Sequence, residues 1–253
     1  MMDEIDLSKL LALAARAAER ASFVLSEHVA GLKAVDEARG KDIKLEADRL
    51  ADAGILAVLR EQPYVVLSEE SGETRKSSDS VGYRWIVDPL DGTYNFYRGM
   101  PMSCVSIGFW RGDEPLLGLI HDFNRGETFS GIVGDGAWLN GVPIRVSSEA
   151  SAESGVLFTG FPVYADYTDE SLAAMVGRVR KFKKIRAIGS AALSLAYLAA
   201  GRGEAYREDN IAIWDVAAGL ALVRAAGGSI SMTATDRRDI FLIEASNGKM
   251  RDI

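Results

Sequence analysis

The sequence predicts a layered fold of helices and strands, of the α+β class, and three observations support this prediction. Apolar residues in the region 7–35 recur every three or four positions, which is the period of a helix. In the region 102–133, three runs of alternating polar and apolar residues are separated by glycine-containing turns, as in an antiparallel meander. Helical and strand-like segments follow one another in blocks, which favours a layered α+β or α/β arrangement over a doubly wound sheet.

The predicted first half continues from the opening helix into a second helix and then into strands. Residues 43–59 predict the second helix, with Asp48 and Asp52 one turn apart on the same face. Two short β-rich runs follow at 64–67 and 83–87, and acidic residues come directly after each of them. The meander then comprises 102–110, 116–122 and 127–133, followed by a turn-rich segment at 134–143.

The predicted second half again combines both kinds of element. It comprises a strand at 156–160, helices at 169–179 and 190–200, an irregular segment at 207–213, an apolar helix at 214–226, and strands at 229–232 and 241–245. A chain of 253 residues is long enough to bury a substantial core. We expect one compact unit over 1–253, or two packed lobes (about 1–150, a metal-binding α+β lobe, and about 151–253, an α/β lobe), since no linker-like tract separates them.

The charge balance bears on the partners of the protein. The formal net charge of -7 argues against a nucleic-acid surface, because phosphate backbones are bound by clustered Lys and Arg. The one basic cluster, at 178–186, fits either a solvated helix face or strand edge, or a local role in anchoring an anionic substrate. We therefore expect a small-molecule partner rather than nucleic acid.

The compartment is predicted from three further absences in the sequence. The first residues lack the basic and apolar regions of a signal peptide, and no apolar window is long enough to span a bilayer. Cys104 is the only cysteine, so an intrachain disulfide and a thiolate zinc site are both excluded. We expect a cytoplasmic protein without membrane contact.

The stretch WIVDPLDGTYNF places two aspartates where an apolar strand is predicted to end. Pro89 cannot continue a ladder or a regular helix, so the sequence predicts a turn that brings Asp88 and Asp91 together. Two ionised carboxylates at such a short distance repel each other unless one takes a proton or a cation lies between them. Gly92 and Thr93 follow at a predicted helix N-terminus, where free amides form a receptacle for phosphate.

Other acidic residues occupy similar positions. Glu69 and Glu70 follow a short apolar strand, and Asp215 opens an otherwise apolar helix. Each feature alone is explained by a capped turn, a solvated loop or a helix N-cap. Four or five carboxylates together, in a chain with one cysteine and two histidines, indicate a site for hard cations such as Mg²⁺ or Mn²⁺. Two such ions would clamp the attacking and leaving oxygens of an in-line displacement.

These residues resemble the inositol monophosphatase family, within the Mg²⁺-dependent, lithium-sensitive sugar phosphatases. The similarity lies in the motifs LSEESGE, DPLDGTYNF and WDVAAG, with GAWLNG and IGSA between them, in the same order and spacing over nearly the whole chain. The form KLEADRLAD is similar to prokaryotic members. The resemblance implies a layered α-β-α-β-α sandwich that assembles as a homodimer.

The resemblance also implies a role for individual residues. A first metal ion would be bound by Glu69, Asp88 and the carbonyl of Leu90, and a second by Asp88, Asp91 and Asp215. Glu69 and Thr93 would position and help deprotonate a nucleophilic water, while Asp48 would hold the Thr93 hydroxyl. The amides of Gly92 and Thr93 would receive the phosphate, and the polyol would be contacted by Asp91, Ser190, Ala191 and Glu208.

Two departures from the family pattern concern the metal ions. Residues 43–48 are IKLEAD where animal members tend to carry threonines. Residues 33–41 correspond to the mobile metal-binding loop of the family but match it poorly. Whether two or three ions are bound is therefore left open. The prediction is a Mg²⁺-dependent phosphomonoesterase that hydrolyses inositol monophosphate by metal-activated water, and some prokaryotic relatives also act on fructose 1,6-bisphosphate.

Alternatives remain at this point. Other members of the family act on 3'-phosphoadenosine 5'-phosphate or histidinol phosphate. These substrates stay open here, because the motifs indicate the reaction but do not identify the leaving group. A haloacid-dehalogenase-like phosphatase is disfavoured, since its two motif aspartates are separated by one residue and here they are separated by two. A non-catalytic metal or polyol-phosphate binding module is the alternative from another class, although all of the key acids are present.

Overall fold

The computed structural model describes residues 5–27, 35–39, 42–74 and 82–250, with the backbone alone described for 27, 35–39 and 42–44. Its helices are α1 (Leu7–Glu27), α2 (Glu46–Leu59), α3 (Thr93–Arg98), α4 (Asp169–Val179), α5 (Ala191–Ala199) and α6 (Ile213–Ala225). In the first half, strands are β1 (Val35–Arg39), β2 (Asp42–Leu45), β3 (Val65–Ser68), β4 (Gly72–Thr74), β5 (Tyr83–Asp91), β6 (Cys104–Arg111), β7 (Glu114–Asp122), β8 (Glu127–Ile132), β9 (Gly136–Leu139) and β10 (Val142–Ile144). In the second half they are β11 (Val156–Thr159), β12 (Lys184–Arg186), β13 (Ala205–Ala212), β14 (Ser229–Ala234) and β15 (Ile240–Ser246).

Two large sheets organise these strands. The eight-stranded sheet has the order β10-β9-β8-β7-β6-β5-β3-β4, and its neighbouring strands are antiparallel except for the parallel pair β3 and β5. The five-stranded sheet has the order β12-β11-β13-β15-β14. β1 and β2 form a separate antiparallel hairpin. The predicted meander is confirmed, because β6, β7 and β8 alternate in direction along the chain.

The helices separate the sheets into layers. α1 and α2 cover one face of the eight-stranded sheet, and α5 and α6 lie between its other face and the five-stranded sheet. α4 lies on the outer face of the five-stranded sheet, where Arg178 pairs with Asp209 of β13 at 3.2 Å. The order is therefore α-β-α-β-α, as predicted. Among the described helices, none has the length and apolar character needed to cross a membrane.

The central helix α6 is apolar on all sides because it packs against both sheets. Two glycines of the eight-stranded sheet allow the backbone of α6 to approach the sheet closely. A Cβ on Gly118 would lie 2.1 Å from the carbonyl oxygen of Ala218, and one on Gly108 would lie 3.0 Å from the Ala218 nitrogen. This close packing fixes the first turn of α6, and with it Asp215, relative to the strands of the eight-stranded sheet.

Two predicted helix boundaries were wrong, and one segment predicted as turns also contains strands. The opening helix ends at Glu27 rather than near 35, and Val35 belongs to β1, with 28–34 outside the described residues. The second helix begins at Glu46, because residues 42–45 pair with β1 as a strand. The turn-rich segment 134–143 contains the short strand β9 and the start of β10.

The segment 207–213, predicted to be irregular, lies mostly in the strand β13. A bulge between Glu208 and Ile211 shifts its pairing with β15, and Asn210 inside the bulge has a φ of 61°. The extra residue interrupts the two-residue alternation that identifies a strand in sequence. The bulge also re-aims Glu208, which lines the cavity described below.

Candidate metal centre

The candidate site begins where two parallel strands end side by side. Ser68 of β3 pairs with Val87 of β5, and the Glu69 amide donates to the Val87 carbonyl at 3.1 Å. Parallel strands present their carboxyl ends at the same edge of a sheet, so Glu69 and Asp88 leave that edge together. Asp215 approaches from the first turn of α6. Carboxylate oxygens of Glu69, Asp88 and Asp215 lie within 4.8 Å of one another.

The predicted turn at 88–91 was wrong, since β5 continues to Asp91 and contains a bulge. Asp88 pairs with Ser106 and Asp91 with Cys104, which leaves one extra residue on β5. Pro89 is tolerated there because β3 has already ended, so its missing N–H costs no ladder hydrogen bond on that side. The Leu90 amide donates to Asp88 Oδ1 at 2.9 Å. The bulge brings the two aspartates close without ending the strand.

Asp91 faces the start of α5. Its Oδ2 accepts hydrogen bonds from the Ser190 hydroxyl and from the Ala192 amide, the latter at 2.8 Å. Burial raises the pKa of Asp91 to about 6, and these hydrogen bonds oppose the shift. The predicted metal ligand is thus also a link between the two halves of the chain.

Thr93 is the first residue of α3 and follows Gly92, whose φ of 85° turns the chain into the helix. Its Oγ1 lies 3.0 Å from Asp48 Oδ1 and 2.9 Å from the Leu90 carbonyl oxygen. Asp48 is held in turn by the Leu45 amide, which donates to its other oxygen at 2.8 Å. The predicted contact between Asp48 and the Thr93 hydroxyl is present. Burial raises the pKa of Asp48 to about 7.

Neighbouring acids of the cluster raise the pKa of Asp88 and that of Asp215. Burial is the main cause for Asp88, and the charges of Glu69, Asp91 and Asp215 add to it. Asp215 keeps part of its surface open to the cavity, yet loss of water around its carboxylate and nearby charges, Glu69 first, hold its pKa well above the usual range. Oxygen ligands under mutual repulsion suit a hard divalent cation, which would remove the repulsion. The donor set therefore fits a metal ion such as Mg²⁺.

A cavity of about 410 Å³ opens over this cluster. It is lined by the acids and by exposed apolar residues, among them Phe161, Val163 and Tyr164. The predicted site residues that line it are Glu69, Asp88, Leu90, Asp91, Gly92, Thr93, Ser190, Ala191, Glu208 and Asp215. Asp48 does not line the cavity but lies behind Thr93. Among the described lining residues there is no Lys, Arg or His.

Glu208 reaches this cavity from the bulge in β13. A Cβ on Gly160 would lie 2.7 Å from Glu208 Oε1, so the absence of a side chain at 160 gives the carboxyl its space. Burial, followed by the charge of Asp91, raises the pKa of Glu208 to about 8. A protonated Glu208 can donate as well as accept a hydrogen bond, which suits contact with alcohol groups.

Sequence reasoning missed three contributors to the site. Asn95 bonds to a loop of the second half, and Ser68 donates to Asp52 at 2.6 Å directly before Glu69. The sequence did place Asp52 on an acidic helix face with Asp48, but it did not identify Ser68 as the partner of Asp52. Nothing in the sequence indicated that Phe161 lies at the cavity, because it is far from the acidic motifs along the chain.

The predicted metal-binding loop at 33–41 falls partly outside the described residues, at 33, 34, 40 and 41. Residues 35–39 form β1, whose side chains are not described. The number of metal ions therefore remains a prediction.

The sequence matches the model of the inositol monophosphatase family over residues 6–248. A Pseudomonas aeruginosa protein named Nus factor SuhB is 38% identical over 232 residues, covering 89% of this chain and 86% of the relative. The inositol-1-monophosphatase of a Synechocystis species is 37% identical over 220 residues, covering 85% of this chain and 76% of the relative. These matches extend over both halves of the chain.

Solved structures agree with the sequence relatives. The extragenic suppressor protein suhB of Bartonella henselae has a TM-score of 0.86 at 34% identity, and each chain is covered to 95%. The inositol monophosphatase of an Anabaena species has a TM-score of 0.83 at 33% identity, with 97% of this chain and 93% of that chain covered. The chain therefore belongs to the inositol monophosphatase family and is a phosphatase that acts on small phosphate esters.

Proposed function

We propose that this phosphatase is a Mg²⁺-dependent phosphomonoesterase that hydrolyses inositol monophosphate with water as the nucleophile. The observation that supports this most directly is the convergence of Glu69, Asp88 and Asp215 within 4.8 Å at the base of the cavity. The start of α3, where the first amides of a helix have no partner within it, adjoins the same cavity. An acid cluster beside an anion-binding helix start suits a phosphate ester that is bound together with divalent cations.

The metal ligands in this proposal come from the cluster and from the family resemblance. Glu69, Asp88 and Asp215 would hold Mg²⁺ together with Asp91 and the Leu90 carbonyl, as two or three ions, with Mn²⁺ as a substitute. Bound Mg²⁺ would supply charge stabilisation for the phosphoryl oxygens and lower the pKa of water. The raised pKa values of Asp88 and Asp215 support this ligand set, because such carboxylates are ionised more readily beside a cation.

Residues of the chain itself would orient the nucleophile and the phosphate. Thr93 Oγ1 donates its hydrogen to Asp48 or to the Leu90 carbonyl, which leaves an oxygen lone pair to accept a hydrogen from water. Glu69 would accept the second hydrogen of the same water. The amides of Gly92 and Thr93 would donate to phosphate oxygens. Asp48, whose pKa is about 7, is suited to hold a proton passed through Thr93 at neutral pH.

The substrate alcohol would be bound by another part of the same cavity lining. Donors and acceptors for hydroxyl groups are offered there by Asp91, Ser190, Ala191 and Glu208. Inositol monophosphate is the first candidate because a Synechocystis relative is named inositol-1-monophosphatase. Fructose 1,6-bisphosphate is a second substrate to be tested, and 3'-phosphoadenosine 5'-phosphate and histidinol phosphate are alternatives within the family.

Further properties are proposed with this function. From the resemblance, the protein is inhibited by lithium and assembles as a homodimer. From its net charge and its lack of a long apolar window, it acts in the cytoplasm without nucleic-acid or membrane partners. A non-catalytic binding module is disfavoured because Glu69, Asp88, Asp91, Thr93 and Asp215 are all retained.

Phosphate release from these four esters, with and without Mg²⁺ and with lithium added, tests the proposal. We expect Mg²⁺-dependent, lithium-sensitive release, fastest from inositol 1-phosphate. Faster release from another ester would replace the substrate and keep the mechanism. Release that is unchanged by a chelator would overturn the metal-dependent mechanism, and no release from any ester would favour the binding role.

A further inference from the structure

Asn95 lies at the junction between the first and second halves of the chain. It is the third residue of α3, is 7% exposed, and follows two residues after the phosphate-binding Thr93. Its Nδ2 lies 2.8 Å from the Met102 carbonyl oxygen, 2.8 Å from that of Ile188 and 3.1 Å from that of Gly189. A primary amide has two hydrogens, so one of them is shared between two of these carbonyls. A single side chain thus binds α3 to a loop more than 90 residues away.

The backbones that meet around Asn95 leave no space for larger residues. Gly92 and Gly189 both have a positive φ, of 85° and 71°. A Cβ on Gly92 would lie 2.6 Å from the Met102 carbonyl oxygen and 3.3 Å from that of Gly189. A Cβ on Gly189 would lie 3.0 Å from Asn95 Nδ2. The segment 188–190 therefore rests directly against the start of α3, with Asn95 supplying the hydrogen bonds.

The same segment leads into the alcohol side of the cavity. Ser190 caps α5 by accepting from the Leu193 amide at 3.2 Å, and its hydroxyl donates to Asp91. The Ala192 amide also donates to Asp91. The loop is thus held at two points, by Asn95 on its approach and by Asp91 at its end. Only the second point involves a predicted metal ligand.

We propose that Asn95 is a positioning residue that fixes Ser190 and Ala191 for the alcohol part of the substrate, and that it thereby controls substrate affinity without controlling phosphate or metal affinity. This inference rests on the proposed function, because it assigns the leaving-group alcohol to the 188–191 side. The physical reason is that phosphate would contact α3 itself, whereas the alcohol would contact a loop whose place relative to α3 depends on Asn95.

The test compares three kinetic quantities in Asn95→Ala. We expect the KM for inositol 1-phosphate to rise about tenfold, since three carbonyls at a partly buried contact lose their donor. The inhibition constant of inorganic phosphate and the Mg²⁺ concentration for half-maximal rate should stay within about twofold of the unsubstituted protein. A KM that does not change, or a phosphate inhibition constant that rises as much as the KM, would overturn the proposal.

A matched control separates this role from general stabilisation. Asn247 is also buried, and its Nδ2 donates to the Glu149 carbonyl at 2.7 Å and to Ser147 Oγ at 3.2 Å, away from the cavity. Asn247→Ala should lower the melting temperature and leave the KM unchanged. Should Asn95→Ala fail to fold, Asn95→Ser, which leaves a smaller void and keeps one donor, is measured in the same way.

A second readout does not depend on catalysis. Amide hydrogen exchange in a peptide covering 187–192 should become at least about fivefold faster in Asn95→Ala and stay unchanged in Asn247→Ala. If the unsubstituted protein releases no phosphate from inositol 1-phosphate, the proposed function fails. Hydrogen exchange alone then tests the proposed role of Asn95 in holding the 188–191 loop. Unchanged exchange at 187–192 would overturn it, and faster exchange would support it.

Discussion

At the scale of single residues, the main feature is a group of carboxylates that destabilise one another without a cation. Asp88 and Asp215 have raised pKa values because they are desolvated beside other acids. Such an arrangement costs stability and is retained in proteins where a bound ion or a proton makes use of it. The cluster is therefore explained by function, and the surrounding apolar packing supplies the stability that it lacks.

Asp215→Asn tests this account. We expect kcat/KM to fall about a thousandfold or more, since a ligand of the Mg²⁺ that would stabilise the transition state is lost. The metal-free variant should melt at or above the temperature of the unsubstituted protein, because one of several repelling charges is gone. Asp113→Asn, at an exposed turn, is the control and should change neither quantity. A large loss of stability in Asp215→Asn would mean that its carboxylate has a structural role.

The hydrogen bond between Ser68 and Asp52 supports a second prediction. Both side chains are buried, their oxygens lie 2.6 Å apart, and Ser68 immediately precedes Glu69. Ser68→Ala should weaken Mn²⁺ binding about tenfold, as is typical when support for a ligand is removed. Asp52→Asn keeps an acceptor for the Ser68 hydroxyl and should weaken Mn²⁺ binding less. Equal Mn²⁺ affinity in all three proteins, measured by electron paramagnetic resonance, would show that this bond does not position Glu69.

At the scale of elements, the sequence predicted those whose pattern is local. The meander strands alternate regularly, and α6 is a continuous apolar run, so both were found. β13 was missed because its bulge breaks the alternation, and the 88–91 turn was misplaced because a bulge also accommodates proline. The contact of Asn95 with 188–189 could not be predicted from the sequence, since it joins residues far apart in the chain and depends on how the two halves pack.

Two glycine substitutions test the packing of helices on the sheets. Gly118→Ala should destabilise the protein by about 1–3 kcal/mol, because its Cβ would lie 2.1 Å from a backbone oxygen of α6. Gly177→Ala is the opposite case, as it lies within α4 with no atom near the added Cβ, and it should stabilise by about 0.5–1 kcal/mol. Urea denaturation measures both. Equal effects of the two substitutions would contradict the close approach of α6.

At the scale of the whole molecule, α6 packs against both sheets, and the site takes residues from both halves. We therefore expect one compact unit rather than two independent lobes, with a single cooperative unfolding transition. Two separate calorimetric transitions would instead favour lobes divided near residue 150.

The buried acids also make the stability of the metal-free protein depend on pH. Burial raises the pKa of Asp48 from 3.8 to about 7 and that of Glu208 from 4.5 to about 8. The folded state therefore binds protons more tightly than the unfolded chain, so this contribution to stability is present at low pH and is lost as the pH rises toward about 8. The metal-free melting temperature should fall between about pH 5 and pH 8, and Mg²⁺ should restore more of it at pH 8. A melting temperature that rises over this range would contradict the assignment.

The most direct test of the central claim is the initial rate of phosphate release from inositol 1-phosphate as Mg²⁺ is returned to protein stripped of metal by a chelator. We predict no release without Mg²⁺ and a saturable recovery when it is added, which is absent in Asp88→Asn. Release at the full rate in the presence of the chelator, or normal recovery in Asp88→Asn, would show that the acid cluster is not the metal site of the reaction.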